Sequence, residues 1–370
     1  MSLLDPKLAG RVLKMAIAIQ QISSPTFNEG RRATFVLERF QEEGLSDISI
    51  DRVGNVFARL PGEVSAHGAP PLVVSAHMDT VFPEDTPLNL RRETDRIYGP
   101  GIGDNATGVA GLFGLLWALQ GSHRLPGDVW LIANVGEEGL GNLGGMSAVV
   151  DHFGAGVCAY LILEGMALGQ IYHRGLSVRR YEISACTPGG HAWVDFGRPS
   201  AIHELAGLIT RLCAISVPEQ PRSSMNVGTI SGGTSVNTIA AQATCLLDLR
   251  SESGQVLARL ARQVEAQIEA GNRPGIQFSR KVVGERPAGQ IPTSHPLVRL
   301  AKGCLEGLGV HPQLNIGSTD ANIPLSRGIP AICIGLTTGS GAHTLEEYIL
   351  TQPLEIGLAQ LLALVEGLVK

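Results

Sequence analysis

The chain has 370 residues, enough for two domains of ordinary size. It is 44% apolar and 17% charged, so it can bury a sizeable core and does not read as disordered. A net charge of −5 with no basic block argues against nucleic acid or an anionic membrane as partner.

Residues 8–22 carry a helical period, with Leu8, Val12, Met15, Ala16 and Ile19 on one face. Charged residues Asp5, Lys7, Arg11 and Lys14 make the N-terminal stretch an amphipathic helix rather than a signal peptide or a spanning segment. A loop at 24–30 leads to a second helix at 31–43. Strands are expected at 47–50 and 55–60, followed by a Gly/Pro/Ala-rich surface connection at 61–70. The next strand is an apolar run that ends abruptly in His77-Met78-Asp79-Thr80. A glycine-dense turn, 98–105, opens an apolar helix at 107–119. A strand at 128–135 runs into Gly136-Glu137-Glu138-Gly139, a helix follows to about residue 152, and a strand at 158–163 ends at Glu164-Gly165. This alternation implies a doubly wound, mostly parallel α/β sheet.

Beyond residue 172 the texture changes. Residues 176–186 alternate with a period of two and read as an antiparallel strand. A helix at 201–216, strands at 224–231 and 242–250, a helix at 256–270 and a strand at 277–283 complete the order β-α-β-β-α-β, which is ferredoxin-like. The α/β pattern resumes near Pro292, with a helix at 295–308, a strand at 331–336 and a helix at 352–369. The expected organisation is a catalytic domain formed by 1–173 and 291–370, with an α+β domain, 174–290, inserted into it. Six scattered cysteines without a C-x-x-C pair read as thiols of a reducing compartment, hence a cytoplasmic protein.

The chemistry-bearing residues gather at strand ends: His77 and Asp79, Asp104, Glu137 and Glu138, and Glu164, with His343 in a late glycine-rich loop. In a parallel sheet those ends share one edge, where ligands bind. Side chains at i and i+2 of an extended chain point the same way. His77 and Asp79 are therefore placed for a ligand and its orienting partner, although alone they fit a loop after a core strand equally well. Several carboxylates in one crevice repel unless divalent cations compensate them. Two histidines with three carboxylates suit zinc or another borderline metal better than magnesium or calcium. Gly139-Leu140-Gly141-Asn142-Leu143-Gly144 also matches the dinucleotide pattern G-x-G-x-x-G, but Glu137 and Glu138 would repel a pyrophosphate at that helix start. No G-x-S-x-G or reactive-cysteine motif supports nucleophilic catalysis.

Together the motifs His77-Met78-Asp79-Thr80, Gly103-Asp104-Asn105-Ala106-Thr107-Gly108, Glu137-Glu138-Gly139, Glu164-Gly165 and the late His343 closely resemble the co-catalytic zinc hydrolases that include peptidase T, aminoacylase, acetylornithine deacetylase and carboxypeptidase G. The resemblance covers nearly the whole chain. It implies a zinc-exopeptidase-like α/β domain carrying an inserted ferredoxin-like lid and dimerisation domain. It implies two divalent metal ions, zinc first, with cobalt or manganese also compatible. His77 and Glu164 would hold one ion, Glu138 and His343 the other, and Asp104 would bridge them. Asp79 would orient His77. Glu137 would be the general base for a water between the metals. A cis peptide at Asp104-Asn105 is implied as well.

In the insertion, Thr187-Pro188-Gly189-Gly190-His191-Ala192-Trp193 resembles a family segment whose histidine, here His191, stabilises the oxyanion, often in the partner subunit's site. Asn237 lies in a stretch resembling a substrate-recognition loop. Arg250 reads either as a partner for a substrate carboxylate or as half of a strand-face ion pair. Asp320 lies in a stretch resembling a cleft-lining loop. Of the other histidines, His67, His123, His295 and His311 read as solvated, and His152 and His203 as structural. The resulting expectation is metal-dependent hydrolysis of a small peptide by a peptidase T-like exopeptidase. An N-acyl amino acid deacylase or glutamate-type carboxypeptidase comes second, and a catalytically silent binding protein on the same fold third. A homodimer through the inserted domain is expected.

Overall fold

Short β-rich runs alternating with apolar-faced helices build a nine-stranded sheet. A computed structural model of the chain describes residues 6–62, 69–120 and 127–369. His67 and His123 lie outside the described residues. The chain divides into two compact units, one running up to Gly175 and resuming at Gly289, the other spanning Leu176–Ala288.

In the first unit the strand order is Ile48–Ile50, Val56–Leu60, Val129–Asn134, Leu72–His77, Ala159–Glu164, Ala331–Gly335, Gln170–Gly175 and Gly289–Gln290, with Gln313–Gly317 also paired to Gln170–Gly175. The four central strands, from Val129–Asn134 to Ala331–Gly335, are parallel. Their residues are almost all buried, as expected when helices cover both faces. The parallel registers fix the site: His77 sits opposite Asn134, and Glu164 opposite Gly335. The C-terminal ends of adjacent strands therefore deliver their polar residues to one edge.

The helix Gly108–Gln120 is apolar nearly all round because it lies inside this unit. With the preceding turn it is long and apolar enough to cross a membrane, but 89% of that stretch is buried in the protein. A Cβ at Gly111 would fall 2.1 Å from Leu336 Cδ1, so glycine permits that close packing. Three elements differ from the expectation. Strands Gln170–Gly175 and Gln313–Gly317 were not expected: burial alternates along Gln170–Gly175, but its buried set includes His173 and Gly175, and Gln313–Gly317 is partly exposed throughout, so polarity marks neither. The helix expected from residue 107 begins at Gly108, because Ile102–Thr107 is an irregular turn with non-helical dihedrals at Asp104 and Asn105.

The second unit has four antiparallel strands in the spatial order Ser223–Gly232, Gln242–Ser251, Ser177–Cys186, Gln277–Arg286. With helices Ala201–Cys213 and Gly254–Ala270 the chain order is β-α-β-β-α-β, the ferredoxin-like arrangement. Its own core includes Tyr181, Ile183, Leu205, Leu208, Leu249 and Val264. The last strand continues past the expected residue 283 to Arg286, because a bulge between Val282 and Gly284 breaks the alternation without ending the pairing.

Candidate metal centre

His77 is the last residue of strand Leu72–His77 and is 1% exposed. Its Nε2 lies 3.2 Å from Asp104 Oδ1 and 3.7 Å from Glu164 Oε2. His343 Nε2 lies 3.2 Å from Asp104 Oδ2 and 3.1 Å from Glu138 Oε1. Each oxygen of the Asp104 carboxylate thus faces a different imidazole, and each imidazole has a second carboxylate beside it. Donor atoms around a tetrahedral ion at about 2.0–2.2 Å stand roughly 3.3–3.6 Å apart. The spacing and the N/O donor set therefore fit two divalent ions sharing Asp104. Donor atoms of His77, Asp104 and Glu138 all lie within 4.8 Å of one another.

Local structure explains the convergence. Asp104 leaves the irregular turn at a cis Asp104–Asn105 peptide. Asn105 anchors that turn by donating its side-chain N–H to the Leu163 carbonyl at 2.8 Å, while its Oδ1 accepts the Gly108 N–H at 3.1 Å. A Cβ at Gly165 would lie 2.0 Å from the Gly103 carbonyl oxygen, so the glycine after Glu164 lets the two loops touch. His343 has φ 66°, in the left-handed region that non-glycine residues rarely enter.

Asp79 is fully buried behind His77, with Oδ1 3.4 Å from Nδ1. Its reach is wider than the sequence indicates. Oδ1 accepts the Glu137 backbone N–H at 2.9 Å, Oδ2 accepts the Glu138 backbone N–H at 2.8 Å, and Oδ2 also accepts the Thr26 hydroxyl at 2.9 Å. These amides open the glycine-rich turn that mimics a dinucleotide fingerprint, and a carboxylate already occupies them. Beneath lies Arg32, a fully buried guanidinium that donates to the Met78 carbonyl at 2.6 Å and to the Ile22 carbonyl at 2.6 Å. Burial lowers the Arg32 pKa to about 10, and the charges of Asp79 and Glu29 oppose that shift. Glu29 itself accepts the Gly136 N–H at 3.0 Å.

The electrostatics are those of an anionic cluster held together by imidazolium. Burial works against charge on His77, but Asp104, Asp79 and Glu164 outweigh it and raise its pKa well above normal. Asp104 and Glu138 raise that of His343 to about 10. Burial raises the Glu164 carboxyl to about 7 despite His77. Asp104 is held below the usual carboxylate range, because its bonds to His343 and His77 overcome its burial.

Other expected residues fall elsewhere. Asp320 is a correction: it is fully buried and its Oδ2 accepts the Asn134 side-chain N–H at 2.7 Å, so it supports the floor of the centre and is not open to substrate. Arg250 Nε donates to Asp248 Oδ2 at 2.7 Å, the strand-face ion pair. His191 is exposed in its own unit, and its Nδ1 accepts the N–H groups of Trp193 at 3.2 Å and Val194 at 3.4 Å. Its strand partner is Thr238, and Asn237 accepts the Ala192 N–H at 3.0 Å, so His191 and Asn237 sit on adjoining loops. His295 caps helix Pro296–Gly307 rather than being merely solvated, accepting the Leu297 N–H. His152 is exposed but packs its ring 5.3 Å from Phe57.

Sequence reasoning missed Arg32, Glu29 and Glu347. Arg32 carried a usable signal, since it shares the buried face of helix Gly30–Glu42 with Val36 and Phe40. Glu347 followed His343 closely in a polar run that resembled a surface loop.

The parallel sheet, the shared aspartate and the paired imidazoles define an α/β metallohydrolase with a candidate site for two ions. Residues 73–367 match the model of Peptidase family M20/M25/M40. The chain belongs to that family and is a hydrolase. It is 24% identical over 341 residues to the uncharacterised protein YqjE of Bacillus subtilis, covering 87% of this chain and 89% of that one. The crystal structure of aminopeptidase PepT from Bacillus cereus superposes with a TM-score of 0.78 at 21% identity, covering 98% of this chain and 99% of that one. Bacillus subtilis YxeP, described as a dinuclear metal-binding peptidase, gives a TM-score of 0.68 at 18% identity, with 99% of each chain covered.

Proposed function

We propose that this chain is a two-metal exopeptidase acting on small peptides. The observation that carries the reading is the Asp104 carboxylate, one oxygen turned to each imidazole. His77, Glu164 and Asp104 would hold one ion, and Glu138, His343 and Asp104 the other. Zinc suits this donor set best. Bound there, the ions supply Lewis-acid stabilisation of charge that develops on the scissile carbonyl. Glu137 takes a proton from the attacking water and delivers it to the leaving amine nitrogen. In His191 the Nδ1 acceptor role leaves the neutral ring's proton on Nε2, where it can donate to an oxyanion. Fold-level likeness to an aminopeptidase supports a peptide substrate, and the Asp248 contact of Arg250 argues against that arginine as a dedicated carboxylate anchor.

A panel of dipeptides, tripeptides and N-acyl amino acids, each with zinc, cobalt and manganese, tests the reading. Cleavage of peptides with a free amino terminus is expected. Hydrolysis of N-acyl amino acids with no peptide cleaved would replace it with a deacylase.

Metal uptake is expected to release protons. In the metal-free protein the raised pKa values keep both His77 and His343 as imidazolium at pH 7, and ligation requires neutral rings. About two protons should leave per protein from the imidazoles, with a further fraction from the Glu164 carboxyl, whose pKa of about 7 leaves it partly protonated at that pH, and affinity should rise with pH toward the pKa of His343. Calorimetric titration in buffers of different ionisation enthalpy reads this directly, and a heat independent of buffer contradicts it.

A homodimer through the second unit remains our reading of quaternary structure. Strand Ser223–Gly232 forms a sheet edge with most of its residues exposed, which supports pairing with a second copy. Sedimentation as a monomer at micromolar concentration would exclude it.

A further inference from the structure

Glu347 lies four residues beyond His343 and is fully buried. Its Oε1 accepts the backbone N–H groups of Gly103 at 2.7 Å and Asp104 at 2.8 Å, and its Oε2 accepts that of Gly101 at 3.1 Å. Its own carbonyl accepts the Gly99 N–H at 2.9 Å. The next residues, Tyr348–Leu350, pair antiparallel with Arg96–Tyr98. One side chain is thus fastened to the loop that carries Asp104 while its backbone continues the loop that carries His343.

A buried carboxylate is a costly way to fill space. This one accepts three converging donors, a number that one amide oxygen does not match. The ligand-bearing ends at His77 and Glu164 belong instead to strands Leu72–His77 and Ala159–Glu164, which the parallel sheet holds on its own.

We propose that Glu347 is a positioning residue for the second ion. It sets the Asp104 carboxylate and the His343 imidazole in mutual register, so that the pocket formed with Glu138 closes around a cation. This rests on the two-ion reading above. A consequence separates it from general structural support: loss of Glu347 weakens the two ions unequally. The ion between Glu138 and His343, which depends on Glu347 through both Asp104 and His343, loses most affinity, and the ion at His77 and Glu164, which depends on it through Asp104 alone, loses less.

The test is a titration of the metal-free full-length protein with zinc against a competing chelator, resolving two dissociation constants, with circular dichroism and Tm as controls. Glu347→Gln is expected to weaken one constant about 10–100-fold, the usual effect of removing a partner that orients a ligand. His343→Ala identifies that constant, since it should weaken the same one. Glu347→Asp keeps the charge but shortens the reach, and carries the test with the same inequality if the glutamine variant does not fold. Two ions bound by wild type and bound equally well by a folded Glu347 variant overturns the role of Glu347 alone. Equal weakening of both constants also overturns it, by making Glu347 a general support. Failure of the wild-type protein to take up two ions overturns the two-ion reading, and this proposal falls with it.

Discussion

Replacing Glu137 with glutamine is expected to lower kcat by about 10²–10⁴-fold, the range lost when a positioned general base is removed. The substitution is nearly isosteric. It keeps the backbone N–H that donates to Asp79, so the turn carrying Glu138 stays in place. What it removes is a carboxylate able to accept a proton from water and return it to the amine. Zinc stoichiometry and KM should therefore change little while kcat collapses. Glu138→Gln makes the contrast: Glu138 Oε1 faces His343 Nε2 at 3.1 Å, so its loss should weaken metal uptake first. Stopped or initial-rate assays on any accepted peptide, paired with metal analysis of the same samples, separate the two. Glu137→Gln with wild-type kcat and full metal content would remove Glu137 from the mechanism.

How much of this was legible depends on what kind of contact made it. His77, Glu138 and Glu164 were legible because a parallel sheet brings successive strand ends to one edge, and periodicity marks those ends, whereas Asp104 was marked by the glycine-dense turn that opens an apolar helix. His343 was not readable that way, since it sits in a loop in a left-handed conformation; only the resemblance to a known family picked it out. Asp79 was assigned half of its contacts. Its spacing from His77 shows in the sequence, but its hold on the amides of Glu137 and Glu138 crosses 58 and 59 positions and exists only in three dimensions. Asp320 failed for the opposite reason. Gly317-Ser318-Thr319-Asp320 has the composition of an exposed turn, yet Asp320 and Asn322 are wholly buried, because Asn134 at a strand end provides a polar partner there. Composition estimates exposure on average, and it misleads where a functional centre buries its own polar floor.

The second large effect is expected at that shared hub. Asp79→Asn preserves shape but offers one acceptor oxygen and one N–H donor group in place of two acceptor oxygens. The native oxygens accept from Glu137, Glu138 and Thr26, so either orientation of the amide turns a donor toward at least one backbone N–H. A buried donor left without an acceptor costs about 1–3 kcal/mol. The negative charge near the fully buried Arg32 is lost as well. A lowered Tm is therefore expected, but the larger consequence is chemical. His77 loses the carboxylate 3.4 Å from its Nδ1 and keeps only the Asp79 backbone carbonyl at 3.1 Å, and loss of such an orienting partner costs about 10–100-fold in metal affinity or activity. The turn bearing Glu137 and Glu138 loosens at the same time, so the base is displaced from the ions it serves. These two effects make different predictions under added metal. If Asp79 acts only through His77, saturating zinc should restore the wild-type kcat. If it also fixes Glu137, kcat/KM should stay depressed by about 100-fold with both metal positions filled. We expect the second result, and full rescue by zinc in the folded variant would confine Asp79 to orienting His77.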